Sequence, residues 1–285
     1  MELRLEVIPV ESLFQHEETL PHLVEELLFE FRNWANLQNP IIIDENDIVL
    51  DGNHRAFVFK ELGFKYIPAC RINYFNKSVD LRYWFRLLEN IRNADLLKQI
   101  VEDMNGTLQQ VDDKETLEKT LKKNNLDWGI QQGNFYALTR FNEDLVNDAV
   151  SAYAVLGKIQ DKLVQEGTKL KYFPCQHIYE TKFCSELKEC EMVIWTPQIT
   201  KEMVVAAAKR EKVFAPRTTR HLISPRPLNV NVPVYWFKEN ISLEKINRRF
   251  SQFLAGKNLK HIGPGQVIDG RYYGEELLFF FDKKQ

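Results

Sequence analysis

"IVLDGNHRAFVFKELG", residues 48–63, changes character halfway along its length. Residues 48–50 are apolar and predict the end of a buried strand. Residues 56–62 carry apolar side chains at helical spacing, and Gly63 suits the end of a helix. The polar pentapeptide at residues 51–55 is therefore expected where a strand turns into the N-terminus of a helix.

The pentapeptide "DGNHR" combines features that suit a bound anion. A helix N-terminus presents backbone N–H groups that the helix does not use, together with the positive end of the helix dipole. Gly52 lets the backbone approach a ligand closely. His54 and Arg55 add hydrogen-bond donors, and the guanidinium fork matches phosphate oxygens. These residues predict a phosphate-binding turn, with a solvated strand–helix turn as the alternative.

The composition limits the class of protein. The chain has 285 residues, of which 44% are hydrophobic and 27% charged, so a globular protein with a sizeable core is expected. The net charge of −2 argues against bulk electrostatic binding of nucleic acid. No apolar run is long enough to span a bilayer, and the N-terminal residues lack the layout of a secretion signal. A cytoplasmic protein without a membrane partner is expected.

The four cysteines do not have the paired spacing of common zinc modules. A metal site built from Cys175, His177, Cys184 and Cys190 is the weaker alternative. Scattered reduced thiols, Cys70 among them, are the expected arrangement in the cytoplasm, and no metal site is predicted.

The order of apolar patterns predicts an α+β fold in three parts that pack together. Residues 1–77 read as strand, helix, β-hairpin, helix and strand, which form a small α/β unit. Residues 78–170 are expected to be mainly helical, and residues 171–285 mixed α/β. Within the last part, the alternation over residues 228–237 predicts a strand. Helices are predicted in the central part over residues 78–104, 113–125 and 142–167. The first of these helices places Trp84 near its start.

Two further stretches have unusual combinations of residues. "FQHEETLP", residues 14–21, puts Glu17 and Glu18 in a predicted loop, where a carboxylate is either solvated or a general base. "APRTTRHLISPRPLN", residues 215–229, has four arginine or histidine residues and little apolar content. A loop of this kind suits carboxylate or phosphate binding, and a solvated loop is the alternative.

Taken together, these stretches resemble a known family. The strand–"DGNHR"–helix arrangement is similar to the superfamily of the ParB N-terminal domain and sulfiredoxin. Nearly the whole chain resembles the free L-serine kinases, which include archaeal ADP-dependent enzymes and the ATP-dependent enzyme of staphylococcal siderophore biosynthesis. The resemblance rests on "HEE" at 16–18, "DGNHR" at 51–55, Trp84, "TTRH" at 218–221 and "LNVNVP" at 228–233.

The resemblance implies an activity and a set of site residues. It implies transfer of the terminal phosphate of ATP or ADP, with Mg²⁺, to the hydroxyl of free L-serine, which gives O-phospho-L-serine. It implies Glu17 as the general base and His54 as a second catalytic group. The implied nucleotide-phosphate residues are Asp51, Gly52, Asn53, His54 and Arg55, and the implied serine-binding residues are Trp84, Thr219, Arg220 and His221. A family lysine in the helix after the catalytic Glu has no clear equivalent, because Glu30 and Arg32 occupy that region.

Two other functions compete with the kinase. A ParB-like, nucleotide-dependent DNA-binding protein would normally add a helix-turn-helix and a basic surface. A non-catalytic amino-acid or nucleotide sensor would bind its ligands without turnover. Sulfiredoxin activity is not expected, because Asn53 precedes His54 and the turn has no cysteine. The oligomeric state stays open.

Overall fold

The structure is a computed structural model that describes residues 1–91, 94–174 and 191–283. Two compact units account for the chain: residues 1–80, 208–211 and 221–285 form unit 1, and residues 81–207 and 212–220 form unit 2. This division differs from the three parts expected from the sequence, because the C-terminal residues belong to the same unit as the N-terminal ones.

The fold is α+β, as predicted, with helices and several sheets. Seven α-helices occur in the described residues: α1 (Pro21–Arg32), α2 (Asn53–Glu61), α3 (Asp95–Asp103), α4 (Lys114–Lys123), α5 (Ala149–Gln165), α6 (Lys201–Lys209) and α7 (Leu243–Ala255). Sixteen strands occur in the same ranges: β1 (Arg4–Pro9), β2 (Ile41–Ile43), β3 (Val49–Asp51), β4 (Tyr66–Arg71), β5 (Val79–Glu89), β6 (Gly106–Val111), β7 (Trp128–Gln132), β8 (Phe135–Phe141), β9 (Lys169–Pro174), β10 (Glu191–Trp195), β11 (Thr219–Ile223), β12 (Arg226–Leu228), β13 (Lys257–Ile262), β14 (Gln266–Ile268), β15 (Arg271–Tyr273) and β16 (Leu277–Asp282).

Unit 1 contains the predicted N-terminal α/β arrangement. Its main sheet has the strand order β1-β4-β2-β3, in which β4 runs parallel to β2 and the other neighbours are antiparallel. Pro21 begins α1, where the missing N–H of proline costs no helical hydrogen bond. Helix α2 follows β3 directly and ends before Gly63, which has φ +67°. The strand–turn–helix prediction for residues 48–63 is therefore confirmed.

The core of unit 1 joins the two ends of the chain. Val7 and Phe59 from the N-terminal part are buried in one cluster with Val230, Phe250 and Phe280 from the C-terminal part. A second sheet in this unit has the order β12-β16-β13, and β14 pairs with β15 as a separate hairpin. The C-terminal residues of unit 1 therefore pack with the N-terminal part into one core, as the sequence predicted.

Unit 2 is built on an antiparallel sheet. Strands β5, β10, β7, β8 and β6 are neighbours in that order, and β9 also pairs with β5. Helix α4 supplies Leu117 and Leu121 to a buried cluster that includes Phe85, Leu138 and Trp195. Asp113 caps α4 by accepting from the backbone N–H of Thr116 at 2.8 Å.

The prediction that residues 78–170 are mainly helical is wrong. Strands β5 to β9 lie in this region together with α3, α4 and α5. The segment Val79–Glu89 has apolar residues that fit helical spacing, but it also alternates, with Tyr83, Phe85 and Leu87 on one face. Pairing with β9 and β10 decides the outcome in favour of a strand. Trp84 consequently lies within a strand and not near the start of a helix.

The strand predicted over residues 228–237 is also wrong. Only Leu228 belongs to a strand, as the last residue of β12. Asn229 and Asn231 have φ +58° and +59°, a backbone conformation that asparagine tolerates better than most residues but that a strand does not use. A 3-10 helix, Val234–Lys238, follows.

Two predictions about thiols and membranes meet the structure only in part. Cys70 is buried with a free thiol, and burial raises its pKa to about 12. The alternative metal site at Cys175, His177, Cys184 and Cys190 lies outside the described residues. Within the described ranges, no helix has both the length and the apolar character needed to cross a membrane.

Candidate functional site

The turn between β3 and α2 is built around Gly52. This glycine is the N-cap of α2 and has φ +97°, in the left-handed region. A Cβ at this position would lie 2.8 Å from both Arg55 Nη2 and Ile41 Cγ2. A side chain is therefore excluded twice, by backbone conformation and by space.

The first turn of α2 has the features of an anion-binding helix N-terminus. Gly52 supplies no side-chain cap, and the positive end of the helix dipole lies at residues 53–55, where it favours a negatively charged ligand. Asn53 is buried, and its Oδ1 has no hydrogen-bond partner among the described residues. An unpaired buried carboxamide oxygen is an acceptor that a donor group of a ligand can satisfy.

Asp51 lies at the centre of a cluster of arginines, which we call the guanidinium cluster: Asp51, Arg55, Arg226, Arg271 and Glu275. An Asp51 carboxylate oxygen is 2.8 Å from Arg55 Nη2, and the other is 3.3 Å from Arg226 Nη1 and 3.6 Å from Arg271 Nη2. Burial alone would raise the pKa of Asp51. The charges of the three arginines outweigh burial and hold that pKa well below its usual range.

Arg55 braces the turn through most of its donors. Its Nη1 donates to the backbone carbonyls of Asn39 and Pro40, and its Nη2 donates to Asp51. The sequence predicted a guanidinium fork directed at phosphate. These contacts instead use three of its five N–H groups within the protein. Direct phosphate binding by Arg55 stays a prediction.

Arg226 and Glu275 form the buried part of the cluster, and neither was singled out by a sequence motif. Arg226 Nε donates to Glu275 Oε1 at 2.7 Å, and Arg226 Nη2 donates to the backbone carbonyl of His221 at 2.7 Å. Glu275 Oε2 is buried and has no hydrogen-bond partner among the described residues. Three guanidinium groups and two carboxylates leave the cluster with one net positive charge, which suits an anion.

His54 is tied to the loop that carries the two candidate carboxylates. Its Nε2 accepts a hydrogen bond from the backbone N–H of Leu20 at 2.9 Å, so a neutral His54 carries its proton on Nδ1. At the other end of the loop, the Gln15 side chain donates to the backbone carbonyl of Asn53 at 3.0 Å. Glu17 is half-buried between these two anchors, whereas Glu18 is exposed. The structure thus brings the loop of Glu17 to the first turn of α2.

Two buried histidines support the turn from inside unit 1. His16 Nδ1 donates to the Val49 carbonyl at 2.6 Å, and burial lowers the pKa of His16 to about 4. His221 Nε2 accepts from the Tyr74 hydroxyl at 2.7 Å, and its ring lies edge-on to that of His16 with centroids 5.5 Å apart. Burial, with the neighbouring His16, also lowers the pKa of His221 well below its usual value. Both imidazoles are therefore neutral at pH 7.

A second group of predicted site residues lies in unit 2. The indole N–H of Trp84 donates to the Thr219 carbonyl at 3.1 Å. The guanidinium carbons of Arg217 and Arg220 are 5.3 and 5.2 Å from the centroid of the Trp84 ring. Arg86, which is buried, donates to the Trp84 carbonyl at 2.9 Å. Trp84, Thr219 and Arg220 are thus brought together in unit 2, whereas the fourth predicted serine-binding residue, His221, belongs to unit 1.

Comparison with known proteins identifies relatives of the chain. No protein-family model matches it. An ATP-dependent L-serine kinase of Staphylothermus marinus is 27% identical over 242 residues, which cover 80% of this chain and 89% of that protein. The ADP-dependent L-serine kinase SerK of Thermococcus kodakarensis is 22% identical over 233 residues, which cover 79% of this chain and 89% of that protein.

A solved structure gives the same answer for the fold. A free serine kinase variant in complex with AMP superposes with a TM-score of 0.67 at 18% identity, over 83% of this chain and 95% of that one. The fold is therefore that of the free serine kinases. The resemblance predicted from the sequence is confirmed: the chain is a relative of the free L-serine kinases.

Proposed function

We propose that the protein is a free L-serine kinase that uses ATP or ADP as its phosphate donor. The observation that carries this proposal is the first turn of α2, where the N-terminus of the helix, with Gly52 as its N-cap, adjoins a guanidinium cluster with net positive charge. Relatives named for both donors, and a similar structure with bound AMP, support a nucleotide in this role. The reaction forms O-phospho-L-serine, and the cytoplasm, which contains both substrates, is the expected compartment.

Phosphoryl transfer depends mainly on positioning and on neutralisation of charge. In this proposal the backbone N–H groups of residues 53–55 bind phosphate oxygens, and His54 donates to them from Nδ1. Asn53 Oδ1 accepts a hydrogen bond from a donor group of the ligand. Asp51 keeps the guanidinium groups of Arg55 and Arg226 in place.

Glu17 is assigned the role of general base. Its loop is held against the first turn of α2 by Gln15 and by the bond between Leu20 and His54. Glu17 takes the proton of the serine hydroxyl as the oxygen attacks the terminal phosphorus. The bond between that phosphorus and the nucleotide's bridging oxygen breaks, and the shortened nucleotide leaves.

The serine-binding roles of Trp84, Thr219, Arg220 and His221 stay predictions that rest on the family resemblance. The structure adds that His221 is buried and bonded to Tyr74. We therefore assign His221 a positioning role behind the turn, and direct contact with the amino acid to the other three residues.

The guanidinium cluster does not suit a magnesium site of its own. Mg²⁺ prefers carboxylate and carbonyl oxygens, but both oxygens of Asp51 already face guanidinium groups. Among the described residues, no group of three or more histidine, cysteine or acidic side chains is arranged to hold a metal ion. We assign Mg²⁺ to the substrate, bound by the phosphate oxygens of the nucleotide.

Mass spectrometry of the reaction products tests the function. The protein is incubated with L-serine, Mg²⁺ and either ATP or ADP, and serine that is heavier by one phosphoryl group is the expected product. D-serine is the matched control, since a site that binds free L-serine distinguishes the two. Nucleotide binding without phosphoserine from either donor would contradict the kinase and favour a sensor. A gel shift with DNA at physiological salt tests the ParB-like alternative on the same preparation.

A pair of neighbouring variants tests the base. Glu17→Gln keeps the size of the side chain but removes its capacity to accept a proton, so single-turnover phosphoserine formation should fall by about 10²–10⁴-fold. Nucleotide affinity should change little. The exposed neighbour supplies the control, and Glu18→Gln should keep most of the activity. Loss of activity in Glu18→Gln alone would mean that the other carboxylate is the base.

A further inference from the structure

The hairpin of β14 and β15 presents one arginine to the phosphate turn. Its two-residue turn, Asp269 and Gly270, has φ +49° and +74°, as short hairpins require. Tyr273 anchors the hairpin, because its ring is buried in a small cluster with Leu228 and Leu277. Arg271 follows the turn directly and pairs with Ile268 across the hairpin.

Arg271 differs from the other two arginines around Asp51. Its side chain is 44% exposed, against 18% for Arg55 and 2% for Arg226. Its Nη2 is 3.6 Å from Asp51, too far for a hydrogen bond. Its guanidinium also lies 4.9 Å from the centroid of the Tyr273 ring, a contact that orients the group without using its N–H donors.

Asp51 keeps two paired guanidinium groups if Arg271 turns to a ligand. Arg55 and Arg226 lie closer to its carboxylate, at 2.8 and 3.3 Å. A bound phosphate at the N-terminus of α2 carries more negative charge than Asp51, and it can take both arms of a guanidinium fork. Arg271 can therefore exchange its long contact with Asp51 for a bidentate contact with phosphate at little cost to the turn.

We propose that Arg271 binds the nucleotide phosphates beyond the α-phosphate and neutralises charge on the group being transferred. This inference deepens the proposed kinase function and rests on it for the identity of the anion. It divides the guanidinium cluster into two parts. Arg55 and Arg226 hold the turn in shape, whereas Arg271 supplies the positive charge that meets the ligand.

Calorimetry with AMP, ADP and ATP tests this division without relying on turnover. Arg271→Ala should weaken the binding of ADP and ATP by about 10–100-fold, the value of a lost charge-assisted contact, and change AMP binding by less than about threefold. Arg271→Lys should be intermediate, because lysine keeps the charge but lacks the fork. Arg248 in α7 is an exposed arginine of the same unit that pairs with Glu244, and Arg248→Ala is the matched control.

Each result decides the inference separately from the kinase assignment. Equal losses for AMP and for the longer nucleotides would overturn it, since Arg271 would then support the turn as a whole. Unchanged affinity for all three nucleotides would overturn it as well. If the selective loss appears but the wild-type protein makes no phosphoserine, the inference stands and the kinase fails. If phosphoserine forms without the selective loss, only the inference fails. A wild-type protein that binds none of the nucleotides would overturn both.

Discussion

Both units gather arginines, but on different kinds of partner. In unit 1, three guanidinium groups lie within 3.6 Å of the carboxylate of Asp51. In unit 2, Arg217 and Arg220 lie over the ring of Trp84, within the range of a cation–π contact. Loss of the Asp51 carboxylate removes the charge that compensates its cations, whereas loss of the Trp84 ring removes only a cation–π contact from each arginine. Substitution in the cluster around Asp51 should therefore lower stability more than substitution in the group around Trp84.

The largest expected effect follows from removing the charge of Asp51. Asp51→Asn should lower the free energy of unfolding by about 3–5 kcal/mol, because it leaves the buried guanidinium of Arg226 and the partly buried one of Arg55 facing a neutral amide. Urea denaturation measures this loss. Asp47 is a matched control, since its side chain is 27% exposed against 21% for Asp51 but has Arg71 as its one ion-pair partner among the described residues. If Asp47→Asn costs as much, the number of guanidinium partners does not set the sensitivity of unit 1.

The next effect concerns pH and the buried histidine of unit 1. Burial lowers the pKa of His16 to about 4, from an ordinary value of 6.5. As the pH falls below 6.5, the unfolded chain binds a proton that the native state does not, so stability decreases until about pH 4. The loss from His16 amounts to about 3 kcal/mol. His221, whose pKa is also lowered, acts in the same direction.

Urea denaturation between pH 7 and pH 4.5 checks this dependence on His16. His16→Asn keeps a donor for the Val49 carbonyl but cannot be protonated, so the slope of stability against pH should decrease over this range. The exposed His22 is the control, and His22→Asn should keep the wild-type slope. An unchanged slope in His16→Asn would show that other groups cause the acid sensitivity.

The smallest effect is expected in unit 2. Trp84→Phe keeps an aromatic face for the two arginines but loses the hydrogen bond to Thr219, so it should cost about 1 kcal/mol. Trp84→Leu also removes the ring face and should cost roughly 1 kcal/mol more. Thermal unfolding of the two variants separates these contributions. If Trp84→Phe lowers stability as much as Asp51→Asn does, the two groups of arginines do not differ in their sensitivity to substitution.

What the sequence predicts well depends on how local the signal is. Strand β3, the turn at Gly52 and helix α2 follow one another within fifteen residues or so, and each has its own pattern. Strand β5 has no such unambiguous local pattern, because the apolar residues of Val79–Glu89 fit both helical and alternating spacing. Its partners β9 and β10 are distant in the chain, and a window of local sequence carries no information about them.

The candidate site shows the same limit. The turn residues and the loop of Glu17 were predicted as site residues from short motifs, and their roles stay predictions. Arg226 and Arg271 approach Asp51 from 175 and 220 positions further along the chain, counted from residue 51 to residues 226 and 271. A weak signal for Arg226 exists, since it stands between two prolines in a polar stretch after "TTRH". Arg271 follows a hairpin turn, where an exposed arginine is common and gives no signal of a binding site.

The separation of Asp51 from its arginines has a consequence for how the protein is made. Ribosomes add roughly 5–20 residues per second, so Arg271 emerges about 10–45 s after Asp51. During that interval the β3–α2 turn exists without the charges that compensate its carboxylate. The core around Val7 and Phe59 is likewise incomplete until Phe280 has been synthesised. Unit 1 cannot mature as its N-terminal part is translated, and the nascent chain must carry an unfinished anion site until the last strand has been synthesised.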